Sequence, residues 1–280
     1  MAGLLSTPAP AVLEHLRRVR ALLVDLDGVV YTGNTPIPGV AEFLAWLAST
    51  GRRFQCLTNN STLTAAQYVA KLGRMGIPVE ESQVLTSSQA AAIYLRERFG
   101  PGARLAAIGE TGLVQVLLAE GFRLVADHHG PAGPPAAVVC GYNRRLTYEQ
   151  LKHACLAIRA GAAFVATNPD LALPTEEGLL PGNGAALAYL QAATGVAPVV
   201  IGKPEATMLH VAMERLGATA GETAIVGDGL LTDILAGHRA GVATILVLTG
   251  VATRGDLAAA PIQPDVVIER LPDLRRLLEA

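Results

Sequence analysis

The chain is poor in aromatic residues, in cysteine and in charge, and each shortage excludes something. Aromatics make up 4% of its 280 residues, with a single Trp, against 51% hydrophobic residues overall. A core built from Ala, Val, Leu and Ile is therefore expected. The three cysteines, Cys56, Cys140 and Cys155, are scattered, odd in number and without C-x-x-C spacing. That argues against a disulfide framework and for free thiols in a reducing compartment, Cys56 and Cys140 lying inside apolar runs. The net charge is −2 and no block of Lys and Arg occurs, so there is no clustered positive charge for a nucleic-acid partner. No run approaches the ~20 apolar residues of a membrane span, and no repeat of fixed period is present. The opening MAGLLSTPAPAVLEHLRRVR contains Arg and no small-residue cleavage pattern ahead of its charges. It reads as a short leading helix packing on a sheet in preference to a targeting peptide, and the expected location is cytoplasmic.

What is present is alternation. Short apolar runs at Ala21–Asp25, Arg53–Thr58 and Val84–Thr86 read as strands. Amphipathic stretches at Gly39–Thr50, Thr64–Met75 and Ser88–Phe99 read as helices, the last opened by Ser87 or Ser88. This β-α order implies a doubly wound parallel sheet, a Rossmann-like α/β core. Gly100-Pro101-Gly102 interrupts it, and a second alternating set follows, in which Thr167–Gly184 reads as a loop dense in Pro, Gly and acid. His128 and His129 beside the Gly/Pro-rich stretch read as exposed side chains more readily than as metal ligands. From Pro198 the first pattern returns, with helices expected over Glu205–Leu216, Leu231–Ala240 and Leu271–Leu278. The expected organisation is a core from residues 1–101 and 197–280, with an inserted α/β domain over 102–196.

The first strand ends in Asp25-Leu26-Asp27-Gly28. Side chains alternate along a strand, which sets Asp25 and Asp27 on one side of its carboxyl end, the end where open α/β sheets bind ligands. Two neighbouring carboxylates repel unless one holds a proton or a cation intervenes. Such a pair suits a nucleophile with a proton donor, or a metal site; it also suits a plain Asp-Gly turn. Three further strand ends carry polar groups: Thr58-Asn59-Asn60, Lys203, and Asp228 with Asp233 shortly after. Each has an ordinary structural explanation, as a helix cap, a surface lysine, a turn or a first-turn acid. All together, each at the end of a separate apolar strand, they are poorly explained that way. Four carboxylates in one crevice repel by up to ~4 kcal/mol per close pair at an effective dielectric near 20. Lys203 alone cannot neutralise them, so a hard divalent cation is expected, and Mg²⁺ fits a set made only of oxygens.

DLDGV, TNNS, GKP and GDGLLTD, in that order, resemble the four motifs of the haloacid dehalogenase superfamily of phosphohydrolases. FVATNPDLALPTEEGLLPGNGA, with TSSQAAAIYL before the insertion, resembles the branch with a large α/β cap, the nitrophenylphosphatase and nucleotide-phosphatase-like group. The resemblance implies an Mg²⁺-dependent phosphomonoester hydrolase acting on a small phosphate ester such as a nucleotide, sugar or aryl phosphate. It implies that Asp25 attacks phosphorus to give an aspartyl-phosphate, and that Asp27 protonates the leaving group and then takes a proton from water. Asp25, the Asp27 main-chain carbonyl and Asp228 are implied to hold Mg²⁺, with Asp233 orienting metal-bound water or Lys203. Thr58 and the amides of Asn59 and Asn60 are implied phosphoryl donors, and Lys203 an offset to charge. The inserted domain is implied to be a cap that selects substrate. Asn168, Asp170 and Thr175-Glu176-Glu177 are its candidates, unless the prolines and Gly178 there merely shape a loop. Pyridoxal-phosphatase relatives are expected to carry a histidine near Leu173, and its absence counts against that substrate. A homodimer through the cap is a further expectation. The alternatives are a phosphomutase on the same core and a non-catalytic phosphoaspartate switch, the latter disfavoured by Asp27. A dehalogenase is disfavoured by Asp228 and Asp233.

Overall fold

The computed structural model describes residues 10–126, 133–175 and 177–279; His128, His129 and Glu176 lie outside them. Helix α1 (Pro10–Arg18) buries Leu16 and leads into strand β1 (Ala21–Asp25), every residue of which is buried. Next come the antiparallel pair β2 (Tyr31–Thr32) and β3 (Thr35–Pro36), helix α2 (Val40–Ser49), β4 (Arg53–Thr58), α3 (Ala65–Arg74) and β5 (Val84–Thr86). The chain continues through α4 (Ser87–Phe99), β6 (Arg104–Ile108), α5 (Thr111–Ala119), β7 (Arg123–Leu124), β8 (Ala137–Cys140), α6 (Tyr148–Arg159) and β9 (Ala163–Ala166). Then follow β10 (Ala172–Thr175), β11 (Gly178–Pro181), α7 (Asn183–Thr194), β12 (Val199–Val200) and α8 (Thr207–Leu216). The last elements are β13 (Thr223–Gly227), α9 (Leu235–Ala240), β14 (Ala243–Val247), α10 (Arg254–Ala259), β15 (Val266–Ile268) and α11 (Arg275–Glu279). These elements divide into two compact units. One takes the chain up to Thr58, Ala65–Leu85 and everything from Lys203; the other takes Asn59–Thr64 and Thr86–Gly202.

The first unit is organised by a six-stranded sheet in the order β15-β14-β13-β1-β4-β5. β1 lies inside it, pairing in parallel with β13 on one side and β4 on the other. The chain winds outward from β1 through β4 to β5, then resumes on the far side of β1 with β13, β14 and β15. Connections therefore leave in opposite directions between β1 and β13, and in such sheets that switch opens a crevice at the carboxyl ends of the strands. β1, β13 and β14 are buried along their whole lengths, which explains why they read as unbroken Val/Ile/Leu runs.

The second unit holds a five-stranded sheet in the order β12-β9-β8-β6-β7, parallel throughout, and the separate antiparallel hairpin β10–β11. Val138, Ile158, Phe164, Leu187 and Leu190 fill part of its core. The α/β class and the parallel winding are as expected from sequence. Local features differ, among them the following three. The stretch expected as a loop over Thr167–Gly184 contains the hairpin, with Leu173 opposite Leu180. This ribbon exposes Leu179 to 74%, so no buried face imprints an alternation to read. Helix α4 is capped by Thr86, paired with Gln89 in a reciprocal capping box, so Ser87 and Ser88 lie inside the helix. Their hydroxyls are used elsewhere, donating to the carbonyls of Asn59 at 2.6 Å and Ser61 at 3.2 Å. A π-helical turn, Leu230–Ile234, replaces the start of the regular helix expected over Leu231–Ala240. All three cysteines are free, with Cys56 and Cys140 buried. Among the described residues no helix is long and apolar enough to cross a membrane.

The fully buried Leu23 of β1 packs in the middle of the six-stranded sheet. Leu23→Ala is expected to cost about 2–5 kcal/mol, the range for a large-to-small change in a packed core. Urea unfolding checks this, and a loss well below that range would contradict the central placement of β1.

Candidate active site

Two acids enter the crevice from adjacent strands. Asp25 is the last residue of β1, and Asp228 directly follows β13, whose Val226 lies opposite Val24. Both are buried, at 8% and 6% exposure. Glycines let the surrounding backbone approach Asp228. A Cβ on Gly28, at φ +79°, would stand 2.2 Å from Asp228 Oδ2, and one on Gly250 would stand 1.8 Å from the same atom. The backbone amide of Val251 donates to that oxygen at 2.7 Å, and the amide of Ala252 donates to the Asp228 carbonyl at 3.0 Å. The Thr249 hydroxyl donates to the carbonyl of Gly28 and ties the two loops together.

Lys203 and Asp233 complete the cluster. The buried Lys203 ammonium donates to Asp25 Oδ1 at 2.5 Å and to Asp233 Oδ1 at 2.6 Å. Asp233 Oδ2 accepts from the Gly229 amide at 3.1 Å and the Thr232 hydroxyl at 3.2 Å. Both oxygens of Asp233 are thus engaged, and its contact with Lys203 makes it the lysine's anchor. The π-helical turn carries Asp233 into this position; such wide turns recur at functional sites.

Asp25, Asp228 and Asp233 each bring a carboxylate oxygen within 4.8 Å of the others. Burial pushes the Asp25 carboxyl well above the ordinary carboxylate range, Lys203 opposing and the neighbouring acids adding to the rise. Burial also pushes Asp228 up to about 6, reinforced by Asp233 and opposed by the Val251 amide. At Lys203 burial works against the charge, but Asp233 and Asp25 outweigh it and hold the ammonium above the usual lysine value. Three acids share one cation, and the excess negative charge is the electrostatic signature of the site.

Asp27 lies at the mouth, exposed as a residue. The protein around its carboxyl raises its pKa, against the pull of Lys71 and a hydrogen bond from Tyr31. The Tyr31 hydroxyl donates to Asp27 Oδ2 at 3.0 Å. Thr58 ends β4, is 4% exposed and hydrogen-bonds the side chain of the buried Tyr68. Tyr31, Tyr68, Lys71 and the loop at Thr249–Ala252 were not indicated by the sequence. Tyr31 closes an apolar run, and Tyr68 and Lys71 sit on an ordinary amphipathic helix.

Four sequence candidates belong to the second unit, and three of them, Asn59, Asn168 and Asp170, meet there. Asn168, buried, donates from its side-chain amide to the Asn59 carbonyl at 2.8 Å, and its Oδ1 accepts from the Asp170 amide at 3.2 Å. The Asn59 amide reaches both Asp170 oxygens at 3.4 Å. Asn60 Oδ1 accepts from the Thr62 amide at 2.9 Å and hydroxyl at 2.7 Å, closing its own turn. Buried Asn183, absent from the sequence candidates, donates to the carbonyls of Asn168 at 2.7 Å and Cys140 at 3.2 Å. Of this group Asp170 is partly exposed, while Asn168 is committed to internal bonds.

Comparison with known proteins decides the family. Residues 22–123 match the model for haloacid dehalogenase-like hydrolases, and residues 200–274 match a second, HAD-hydrolase-like model. The chain is 40% identical to the 5'-nucleotidase YutF of Bacillus subtilis over 258 residues, 92% of this chain and 98% of that protein. The chain belongs to the haloacid dehalogenase-like hydrolases. A 4-nitrophenylphosphatase from Thermotoga maritima superposes with a TM-score of 0.88 at 37% identity, covering 94% of this chain and 99% of that one. A glycerol phosphate phosphatase from Mycobacterium tuberculosis, solved with magnesium, gives a TM-score of 0.84 at 37% identity, covering 93% and 77% respectively. The family's Rossmann-like core and inserted α/β cap are the architecture described above, and the branch is that of the nitrophenylphosphatases.

Within this family the cluster suits a divalent cation on its own chemistry. The donors are all oxygen, they are buried, and one ammonium leaves them under-neutralised. A bound cation should therefore raise Tm, because a ligand that prefers the folded state stabilises it by mass action. Asp228→Asn should remove most of that rise while making the metal-free protein more stable than wild type, since it relieves charge crowding. The sign with pH follows from the raised Asp228 pKa. The folded state holds this proton more tightly than the unfolded one, so metal-free wild type regains stability as pH falls from above about 6 toward the ordinary carboxylate value near 4. The stability gap between Asp228→Asn and wild type should accordingly narrow over that interval. Thermal melts of chelated protein at pH 8 and pH 5 measure it; a gap that widened on acidification would contradict the crowding.

Proposed function

We propose that this protein is a phosphatase that hydrolyses small phosphate monoesters through a phosphorylated Asp25, with Mg²⁺ as its metal. The observation that carries the reading is the buried group of Asp25, Asp228 and Asp233 around Lys203 at the switch point of the core sheet. The names of the relatives support the class: a 5'-nucleotidase, an acid sugar phosphatase from Staphylococcus saprophyticus and a 4-nitrophenylphosphatase. They differ in substrate, so the reading stops at small phosphorylated metabolites. Asp25, Asp228 and the Asp27 carbonyl would hold the cation, which when bound supplies positive charge to a site whose acids outnumber its one ammonium.

The chain's own residues account for the rest. Asp25 Oδ1 is bonded to Lys203, which orients the carboxylate and leaves Oδ2 to attack phosphorus. The ester P–O bond breaks as the Asp25–phosphorus bond forms, and a proton on Asp27 passes to the leaving oxygen. Water then attacks phosphorus, gives a proton to Asp27, and returns the Asp25 carboxylate and inorganic phosphate. Asp27 suits both turns because the protein around its carboxyl raises its pKa, which favours the acid form more than in an ordinary carboxylate. Thr58 and the amides of Asn59 and Asn60 are the proposed donors to the phosphoryl oxygens, and Lys203 offsets their charge. Asp233 fixes Lys203. Choice of leaving group is assigned to the second unit, with Asp170 the foremost residue. The cap, taken as residues 102–196, is also proposed to form a homodimer.

The deciding experiment is phosphate release from 4-nitrophenyl phosphate with Mg²⁺ supplied. Asp25→Asn should lose turnover by about 10³-fold or more, as expected when a nucleophile is removed, with its melting transition retained. Chelation of wild type should silence it reversibly. Near-normal turnover by the folded Asp25→Asn protein, or indifference to thorough chelation, would end this reading. Release of phosphate to water, with none passed to an added sugar, separates it from a phosphomutase.

A further inference from the structure

Tyr31 has no part in the bond-making steps above, yet its position is tightly specified. After Asp27 the chain turns back on itself: the amides of Val29, Val30 and Tyr31 all point to the Leu26 carbonyl, at 3.3, 2.9 and 3.3 Å. The Gly28 amide donates to the Tyr31 carbonyl at 2.7 Å. This closed turn returns Tyr31 beside Asp27, and the fully buried phenol spends its hydroxyl on Asp27 Oδ2. On the other side Lys71, from α3, places its ammonium 3.8 Å from the centre of the Tyr31 ring. A cation at that distance from a ring face is attracted to it and restrains the ring.

We propose that Tyr31 is a positioning residue that assigns the two oxygens of Asp27 different tasks, with Lys71 holding its ring in place. The phenol occupies Oδ2, so Oδ1 is the oxygen that gives its proton to the leaving group and takes one back from water. Tyr31 keeps its own proton throughout. A hydrogen bond to one oxygen also fixes the carboxyl rotation, and small misplacements of a proton donor are costly to rate. The inference rests on the phosphatase reading with Asp27 as acid.

Leaving-group dependence separates positioning from mere packing. Expulsion of 4-nitrophenolate needs little protonation, whereas expulsion of an alkoxide depends on it. The value of kcat/KM reports steps up to departure of the leaving group. For Tyr31→Phe, kcat/KM for glycerol phosphate is expected to fall about tenfold or more, a fraction of the usual worth of a general acid, while that for 4-nitrophenyl phosphate stays within about twofold of wild type. Lys71→Met should move the ratio in the same direction and serves as the second variant if Tyr31→Phe does not fold. Because Lys71 also pulls on the Asp27 charge, the ratio is compared at the plateau of each protein's pH profile, where a direct shift in the acid's pKa does not alter it. Equal losses on both esters, or an unchanged ratio in a folded variant, would overturn the proposal. Absence of turnover by wild type on both esters would instead overturn the phosphatase reading beneath it.

Discussion

The structure of the first unit depends on one electrostatic imbalance. Asp25, Asp228 and Asp233 are gathered into a buried space where Lys203 is bonded to two of them. Burial makes each charge expensive, and mutual repulsion adds to the cost, which is why Asp25 and Asp228 hold their protons more tightly than carboxylates ordinarily do. A hydrophobic cluster of the same volume would be a cheaper way to close the sheet. An arrangement this unfavourable by itself fits a site completed by positive charge, and it makes the surroundings of Asp25 sensitive to that charge.

The backbone features around the cluster serve to maintain this crowding. The parallel sheet sets β1 and β13 side by side with their carboxyl ends together, so the acids converge without long side chains. Gly28 and Gly250 let two loops close on Asp228 where any Cβ would collide with it. The π-helical turn at Leu230–Ile234 swings Asp233 onto Lys203. The turn after Asp27 brings Tyr31 to the one acid that faces solvent. Hydrogen bonds fix one oxygen of Asp25 and one of Asp27, a preorganisation that the proposed roles of the two acids would use.

Much of this was legible in the sequence, because buried parallel strands write themselves as apolar runs and their ends are marked by polar residues. The DLDG, GKP and GDGLLTD stretches named the four charged groups that the fold brings together, although they lie up to 208 positions apart in the chain (Asp25 to Asp233). Other features left no such mark. Strand β11 of the hairpin β10–β11 has no buried residue and so no buried-exposed alternation to detect. The cap of α4 is Thr86, not the serines after it, because its partner Gln89 stands three residues on and the serines are drawn to the Asn59–Ser61 turn. Tyr31 and Lys71 acquire their relation to Asp27 only when the turn and α3 are in place. The bonds among Asn59, Asn168, Asp170 and Asn183 likewise join segments whose pairing no spacing in the sequence reveals.

The central claim is that Asp25 becomes covalently phosphorylated in the course of turnover. Rapid acid quench of the enzyme with substrate, followed by peptide mapping under conditions that preserve acyl phosphates, tests it most directly. The account predicts a phosphate adduct on the peptide containing Asp25, at that side chain, formed and consumed at rates compatible with turnover. Sustained turnover with no adduct, or an adduct on a different residue, would contradict it.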